Sequence, residues 1–463
     1  MVRPVLDLVI KGGTVVTSGS MGVCDVGVQD GKIVQLGGDL RGRRDVDAQG
    51  KYVFPGGVDV HVHLTLPFEP KPGDQVWCDD FRSGSQAAIA GGVTTIGNMT
   101  FQRQGETLHD ALKRDLAAAE RDAAVDYVLH PVLTDPSKEA LSQIPDLAAD
   151  GHTSLKIFML FEQFDARVGE YLSALQAAGR HGVLTMLHCE DGALVRCICR
   201  ELLAKGTGAP RHYPDSRPPY TESAAAERAI AFVRATGASI YVVHLSSAAA
   251  LAACRRSRAD GLPVYVETRP LYLYLTRERF EEPDGAKYVG APPLREPTDV
   301  SAIWHGLRSG DIQCLCSDHA PWTLEAKLDP TLNVMTVRAG VADLETLMPM
   351  LYSEGVRSGR ISLSRFVELT STNTAKLFGM YPQKGTIAVG SDADLVVWDP
   401  DARRTIAGAT MRSNAGYSVY DGREVVGWPA CTISRGDVVF ENATITARPG
   451  RGRWVKRGVT RGL

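Results

Sequence analysis

Two hydrophobic periods alternate along this chain. Near the start, apolar and polar positions alternate with a period of two, interrupted by turn residues. Leu6-Asp7-Leu8-Val9-Ile10 meets Gly12-Gly13 and then Thr14-Val15-Val16, while Asp25-Val26-Gly27-Val28 meets Asp30-Gly31 and then Lys32-Ile33-Val34. Such alternation around G-G and D-G turns predicts β-hairpins. The far end has the same texture, with Asp392 to Trp398 as one strand and Cys431 to Ser434, Arg435-Gly436 and Asp437 to Phe440 as another hairpin. The two β-rich ends are expected to form one small β-sandwich domain.

Between them the pattern changes. Short apolar runs such as Thr94-Thr95-Ile96, Leu155 to Phe158, Val183 to Met186, Ile240 to Val243 and Val264 to Val266 read as buried strands. Alanine-rich amphipathic stretches lie between them, among them Leu108 to Ala123, Val168 to Gly179 and Ser223 to Thr236. Strand and helix alternating at this length predict an α/β fold with a (β/α)8 TIM-like barrel. A doubly wound sheet would want a glycine-rich dinucleotide turn after its first strand, and none is present. The expected divisions are residues 1–54 and 381–450 for the two parts of the sandwich, 55–380 for the barrel and 451–463 for a tail.

Composition narrows the classes of function. The chain of 463 residues carries a net charge of -3 with both signs mixed, so no clustered basic face is offered to nucleic acid. The basic run from Arg448 to Arg461 reads as a solvated terminus. Nine scattered cysteines predict reduced thiols in a cytoplasm, and Cys197-Ile198-Cys199 and Cys314-Leu315-Cys316 read as buried thiols rather than metal ligands. No apolar run approaches the ~18 residues that span a bilayer, and no leader precedes the first strand.

The chemistry sits at the expected C-terminal ends of the barrel strands, where such barrels build their sites. His61 and His63 are two apart in Val58-Asp59-Val60-His61-Val62-His63, so in a strand both imidazoles face one spot, as ligands of one metal ion must. Lys156, His188, His244 and Asp318 each lie in or just after an apolar strand run. Each signal alone is weak, and their conjunction predicts a metal site. An ammonium has no lone pair to give. Carbamylation by CO2 would turn Lys156 into an anionic bridge between two ions, and burial favours this by disfavouring the ammonium.

These motifs, in this order, resemble the dihydropyrimidinase and D-hydantoinase family of cyclic amidohydrolases. The resemblance extends to Phe54 through His63, Glu267-Thr268, Pro292-Pro293-Leu294-Arg295, Ser371 through Lys376, Lys384 through Asp394 and Gly427-Trp428-Pro429. It implies that His61, His63 and Asp318 hold one divalent ion, that His188 and His244 hold a second, and that carboxylated Lys156 and a hydroxide bridge them. Zinc is the metal the resemblance implies, while histidine and carboxylate donors also admit manganese or cobalt. It further implies a small-molecule cyclic amide substrate, a bridging hydroxide that attacks the ring carbonyl, and Asp318 as general base and then acid. A homotetramer is the implied assembly, with no nucleic-acid or membrane partner.

The chain departs from that family in places. Phe161 stands five residues after Lys156, where hydantoinases resemble one another in a tyrosine that supports the oxyanion. Ala291 precedes Pro292-Pro293 where they have serine, and the family's substrate-facing loop maps near Ala339 to Asp343, with Asp343 read as a surface-loop carboxylate. Phe161, Ala291 and Ala339 are the expected substrate contacts. Thr65 occupies the position at which dihydroorotases carry a carboxylate-binding arginine, which ranks that activity low. Allantoinase or another cyclic-imide hydrolase stays open as the alternative. A non-catalytic scaffold relative would have lost ligands that are all present here.

Overall fold

The computed structural model describes residues 5–460 and 462–463. Residues 1–4 of the expected first division and Arg461 of the basic run lie outside the described residues. Eight parallel strands follow one another in sequence order: Gly57–Val62, Val93–Phe101, Asp126–Val132, Ser154–Phe158, Leu184–His188, Ile240–Val242, Val264–Thr268 and Cys314–Leu315. The ring closes just past the last strand, where His319 bridges Val62 and the His63 amide donates to the His319 carbonyl at 2.8 Å. This is the expected (β/α)8 barrel.

Local chemistry sets the outer helices. Leu108–Asp122 starts at a reciprocal cap between Thr107 and Asp110. It buries Leu108, Ala111, Leu112, Asp115 and Ala119, spaced to make one stripe. Pro219–Thr236 begins four residues ahead of the expected stretch, with proline in its first turn. Inside the barrel, Val58, Val60, Val128, Leu184, Met186, Tyr241, Val243 and Cys316 pack as one cluster. Strict alternation from Val58 and Val60 would turn His61 outward. A register shift between Asp59 and Val62 interrupts the pairing with the next strand and re-aims the end of the first.

The chain ends form two sheets. One orders Lys32–Leu36, Val26–Gln29, Leu6–Lys11 and Gly42–Asp47. The other has seven strands and joins Thr14–Val16 and Tyr52–Pro55 to Leu395–Thr405 and Glu424–Ser434, with Leu395 opposite Pro55. Leu8, Val28 and Ile33 of the first sheet pack against Val53, Leu395 and Ile433 of the second, which makes the sandwich. The turns at Asp30-Gly31 and Arg435-Gly436 form hairpins as expected, all four residues at positive φ. Gly12-Gly13 does not. Leu6–Lys11 and Thr14–Val16 lie in different sheets, and a Cβ on Gly13 would come within 2.5 Å of Val53 Cγ2. The glycines carry the backbone across the sandwich rather than back along one sheet.

Two further expectations are corrected. The basic run is not solvated throughout. Trp454 bridges Tyr127, Val455 is buried, and Arg457 is buried with its guanidinium donating to Ser154 Oγ at 2.8 Å and the Leu129 carbonyl at 3.1 Å. The tail covers the barrel floor, where apolar neighbours and free carbonyls give it more than water does. All nine cysteines are free, but Cys197 is exposed, because its helix turns Cys199 and Val195 inward instead.

Candidate functional site

At the barrel's C-terminal mouth, ligand atoms of His61, His63 and Asp318 all lie within 4.8 Å of one another. Asp318 Oδ1 is 3.1 Å from His63 Nε2 and 3.2 Å from His61 Nε2. The His188 and His244 rings are 4.6 Å apart, and the His244 ring is 5.5 Å from that of His61. His244 and Asp318 both sit at positive φ, 39° and 49°, a conformation uncommon for residues other than glycine.

Buried carboxylates orient the imidazoles. His61 Nδ1 pairs with Glu267 Oε1 at 2.7 Å, which leaves Nε2 for the cluster. His188 Nε2 pairs with Glu190 Oε2 at 2.7 Å, which leaves Nδ1. Carboxylates behind ligating histidines fix their tautomer and raise their basicity. Burial pushes Glu190 up, but Arg217 and His188 outweigh it and hold the carboxyl at about 2. Burial lowers His63 to about 4 and His244 well below its ordinary value, so both rings are neutral at pH 7 and have a lone pair to give. Asp318 is pushed up by burial, yet Arg269 and His61 together keep it well below the usual carboxylate range.

Lys156 is wholly buried, its Nζ 4.8 Å from the Phe158 ring centre and without a hydrogen-bond partner. Burial lowers its ammonium to about 8. His61 Nε2, His63 Nδ1, His244 Nδ1 and Glu267 Oε2 are likewise buried without partners. Folded proteins pair nearly all such atoms. Unpaired buried nitrogen and oxygen donors of this kind, around the three ligand atoms that do converge, fit a divalent ion.

The five expected histidine and aspartate ligands line one cavity of about 250 Å³ together with Phe161, Ala291 and Ala339. Lys156, the sixth, is not among the residues that line it. Trp77, Phe101, Phe158 and Phe161 give the cavity an aromatic wall, with Phe158 and Phe161 stacked 4.7 Å apart. Thr65 turns away from the cavity to donate to Asp115 at 2.7 Å. Asp343 is not on the surface. It is buried, accepts from Thr346 Oγ1 at 2.7 Å and Tyr420 at 3.3 Å, and is pushed up to about 7 by burial.

Sequence reasoning missed several supporting residues. Glu267 ends an apolar run just as the ligands do, so its pattern was visible though its role was not. Lys327 donates to the carbonyls of Val289, Arg338 and Gly340 at 2.6, 2.7 and 2.9 Å and so shapes the wall around Ala291 and Ala339. Arg269, against Asp318, left no periodic signal at all.

Comparison with known proteins gives the same picture. The amidohydrolase family profile matches residues 52–439. The D-hydantoinase of Ralstonia pickettii is 38% identical over 458 residues, 98% of this chain and 99% of that protein. The D-hydantoinase of Geobacillus stearothermophilus is 38% identical over 97% of this chain and 96% of its own. The crystal structure of dihydropyrimidinase from Brevibacillus agri NCHU1002 superposes with a TM-score of 0.94 at 38% identity, covering 98% of this chain and 99% of that one.

Proposed function

The chain belongs to the hydantoinase and dihydropyrimidinase branch of the amidohydrolase family, and from that premise we propose that it opens the ring of a cyclic amide bearing an apolar substituent. One observation carries this reading. His61, His63 and Asp318 converge within 4.8 Å at the barrel mouth, beside an aromatic-walled cavity.

His61, His63 and Asp318 would hold one divalent ion and His188 and His244 a second, with Lys156 between them as a carbamate. When bound, such a pair lowers the pKa of water to about 7 and polarises a carbonyl. The chain's own groups do the rest. Lys156 at about 8 supplies the free amine that reaction with CO2 requires. Asp318 starts ionised, takes the proton of the attacking water and delivers it to the ring nitrogen as the C–N bond breaks. Without that proton the nitrogen is a poor leaving group. Glu267 and Glu190 hold the rings of His61 and His188 in register throughout.

The aromatic wall of Trp77, Phe101, Phe158 and Phe161 supports a ring substituent that is apolar, since a polar one would lose its water without gaining partners. Phe161 favours the second reading, an allantoinase or cyclic-imide hydrolase, because it offers the oxyanion no hydroxyl. Zinc as the metal, a homotetramer and a cytoplasmic location complete the proposal. Among the described residues no helix is long and apolar enough to cross a membrane.

A hydrolysis panel on metal-loaded protein tests this, spanning dihydrouracil, 5-aryl and 5-alkyl hydantoins, allantoin and cyclic imides. Ring opening of an aryl hydantoin, with about two ions per chain by elemental analysis, is expected. Loaded protein that opens none of the panel overturns the reading, and a preference for allantoin moves it to the alternative.

A further inference from the structure

Arg269 is fully buried directly behind Asp318, just past the strand that ends at Thr268. Its Nη1 donates to Asp318 Oδ2 at 2.8 Å, and its Nη2 lies 3.5 Å from the main-chain carbonyl of the same residue. The other carboxylate oxygen, Oδ1, is the one that faces His61 and His63. Glycine at 290 leaves the guanidinium room, since a Cβ there would stand 3.1 Å from Nη1, a tight contact. Tyr272, whose ring lies 5.8 Å from the guanidinium carbon, closes another side and donates to the Pro292 carbonyl at 2.5 Å.

We propose that Arg269 is a positioning residue for the proton carrier, holding Oδ2 and the backbone of Asp318 so that Oδ1 alone is presented to the metal-binding histidines. Two observations and one chemical argument converge on this. Asp318 has φ 49°, an uncommon backbone conformation, and a planar fork on both its side chain and its carbonyl helps to hold it. Arg269 does not line the cavity and has no exposure, so it cannot bind a substrate anion directly. A carboxylate free at both oxygens could also rotate and exchange them, so that neither would keep one fixed place in the site. A fixed Oδ2 prevents that rotation.

The inference rests on the reading of Asp318 as ligand and proton carrier. Arg269→Met and Arg269→Lys, prepared as metal-loaded full-length protein, test it on the aryl hydantoin expected above. Arg269→Met is expected to keep its metal content and a KM within about threefold while kcat falls by about a hundredfold. Arg269→Lys, whose ammonium reaches one oxygen but cannot fork, should recover about tenfold of that loss. A second readout needs no turnover. In metal-free protein the drop in melting temperature on Arg269→Met should be smaller when Asp318 is already Asn, because the two groups act as a pair. An unchanged kcat, a rise in KM with kcat kept, loss of the metals, or additive melting shifts would each overturn the proposal. Asp318→Asn separates the two readings. If it turns over normally, the assigned role of Asp318 falls as well, whereas if it is inactive while Arg269→Met is normal, only the positioning role falls.

Discussion

At residue scale, the site is built from groups whose burial has removed their usual partners. Phe161 shows what one missing atom costs. A hydroxyl at that ring's edge would reach the cavity, and an oxyanion donor is worth roughly 2–4 kcal/mol. Phe161→Tyr should therefore raise kcat on an aryl hydantoin by about tenfold or more. An unchanged kcat in steady-state assays would show that another donor already does this work. Asp343 gives a pH-dependent test. Burial raises its folded value to about 7, above the ordinary 3.8, so the folded chain keeps a proton that the unfolded chain releases. Stability from this group is fully present at low pH and is lost as pH rises from about 4 through about 7. Asp343→Asn should accordingly raise the melting temperature more at pH 8 than at pH 5, and an equal shift at both would contradict the assignment. The six candidate ligands were legible because each lies in or just after an apolar strand run. Asp343 and Arg269 were not, because they lie in loops whose burial is set by neighbours far away in sequence, such as Tyr420 and Asp318.

At the scale of elements, the period-two and helical patterns gave the strands and helices correctly, and the errors fall where two elements meet. The Gly12-Gly13 signal was a true turn signal, but nothing local says which sheet the next strand joins. The register shift after Asp59 was equally silent, and it matters more because it aims His61. Buried charge fixes the join between barrel and sandwich. Lys384 Nζ lies 2.6 Å from Asp126 on the barrel and 3.0 and 2.5 Å from Asp392 and Asp394 on the sandwich side. Those three carboxylates resemble a metal cluster, but the ammonium already occupies their centre. Lys384→Met would remove the shared cation, leaving Asp126 with the Arg435 guanidinium, Asp394 with the Arg435 amide and Asp392 with Lys32 at the cluster's edge. The expected cost is on the order of 3–5 kcal/mol, read as a lower denaturant midpoint with the slope unchanged. A midpoint within error of the parent would show that the cluster relaxes into water instead.

At the scale of the whole molecule, the barrel has two ends with separate tasks. The mouth carries the chemistry, while the floor is closed by the tail. Deleting residues 451–463 strips Trp454 from Tyr127 and Arg457 from Ser154 and Leu129. The melting temperature should fall by about 3–5 °C, a loss of a few kcal/mol in a chain of this size, by circular dichroism. Metal content at low temperature should hold, because no ligand lies within the deleted segment. The tail was misread because a basic run is ordinarily solvated, and only the folded floor offers it carbonyls and apolar rings.

The docked tail also bears on how the chain is made. Synthesis runs from the N-terminus, so every strand of the barrel leaves the ribosome before Trp454, Val455 and Arg457 do. The His130–Ser154 pair, 2.6 Å apart and next to the seat of Arg457, waits open at the floor during that interval. Until residues 454–457 have emerged, Tyr127, Leu129 and Ser154 lack the partners that this segment gives them in the folded chain.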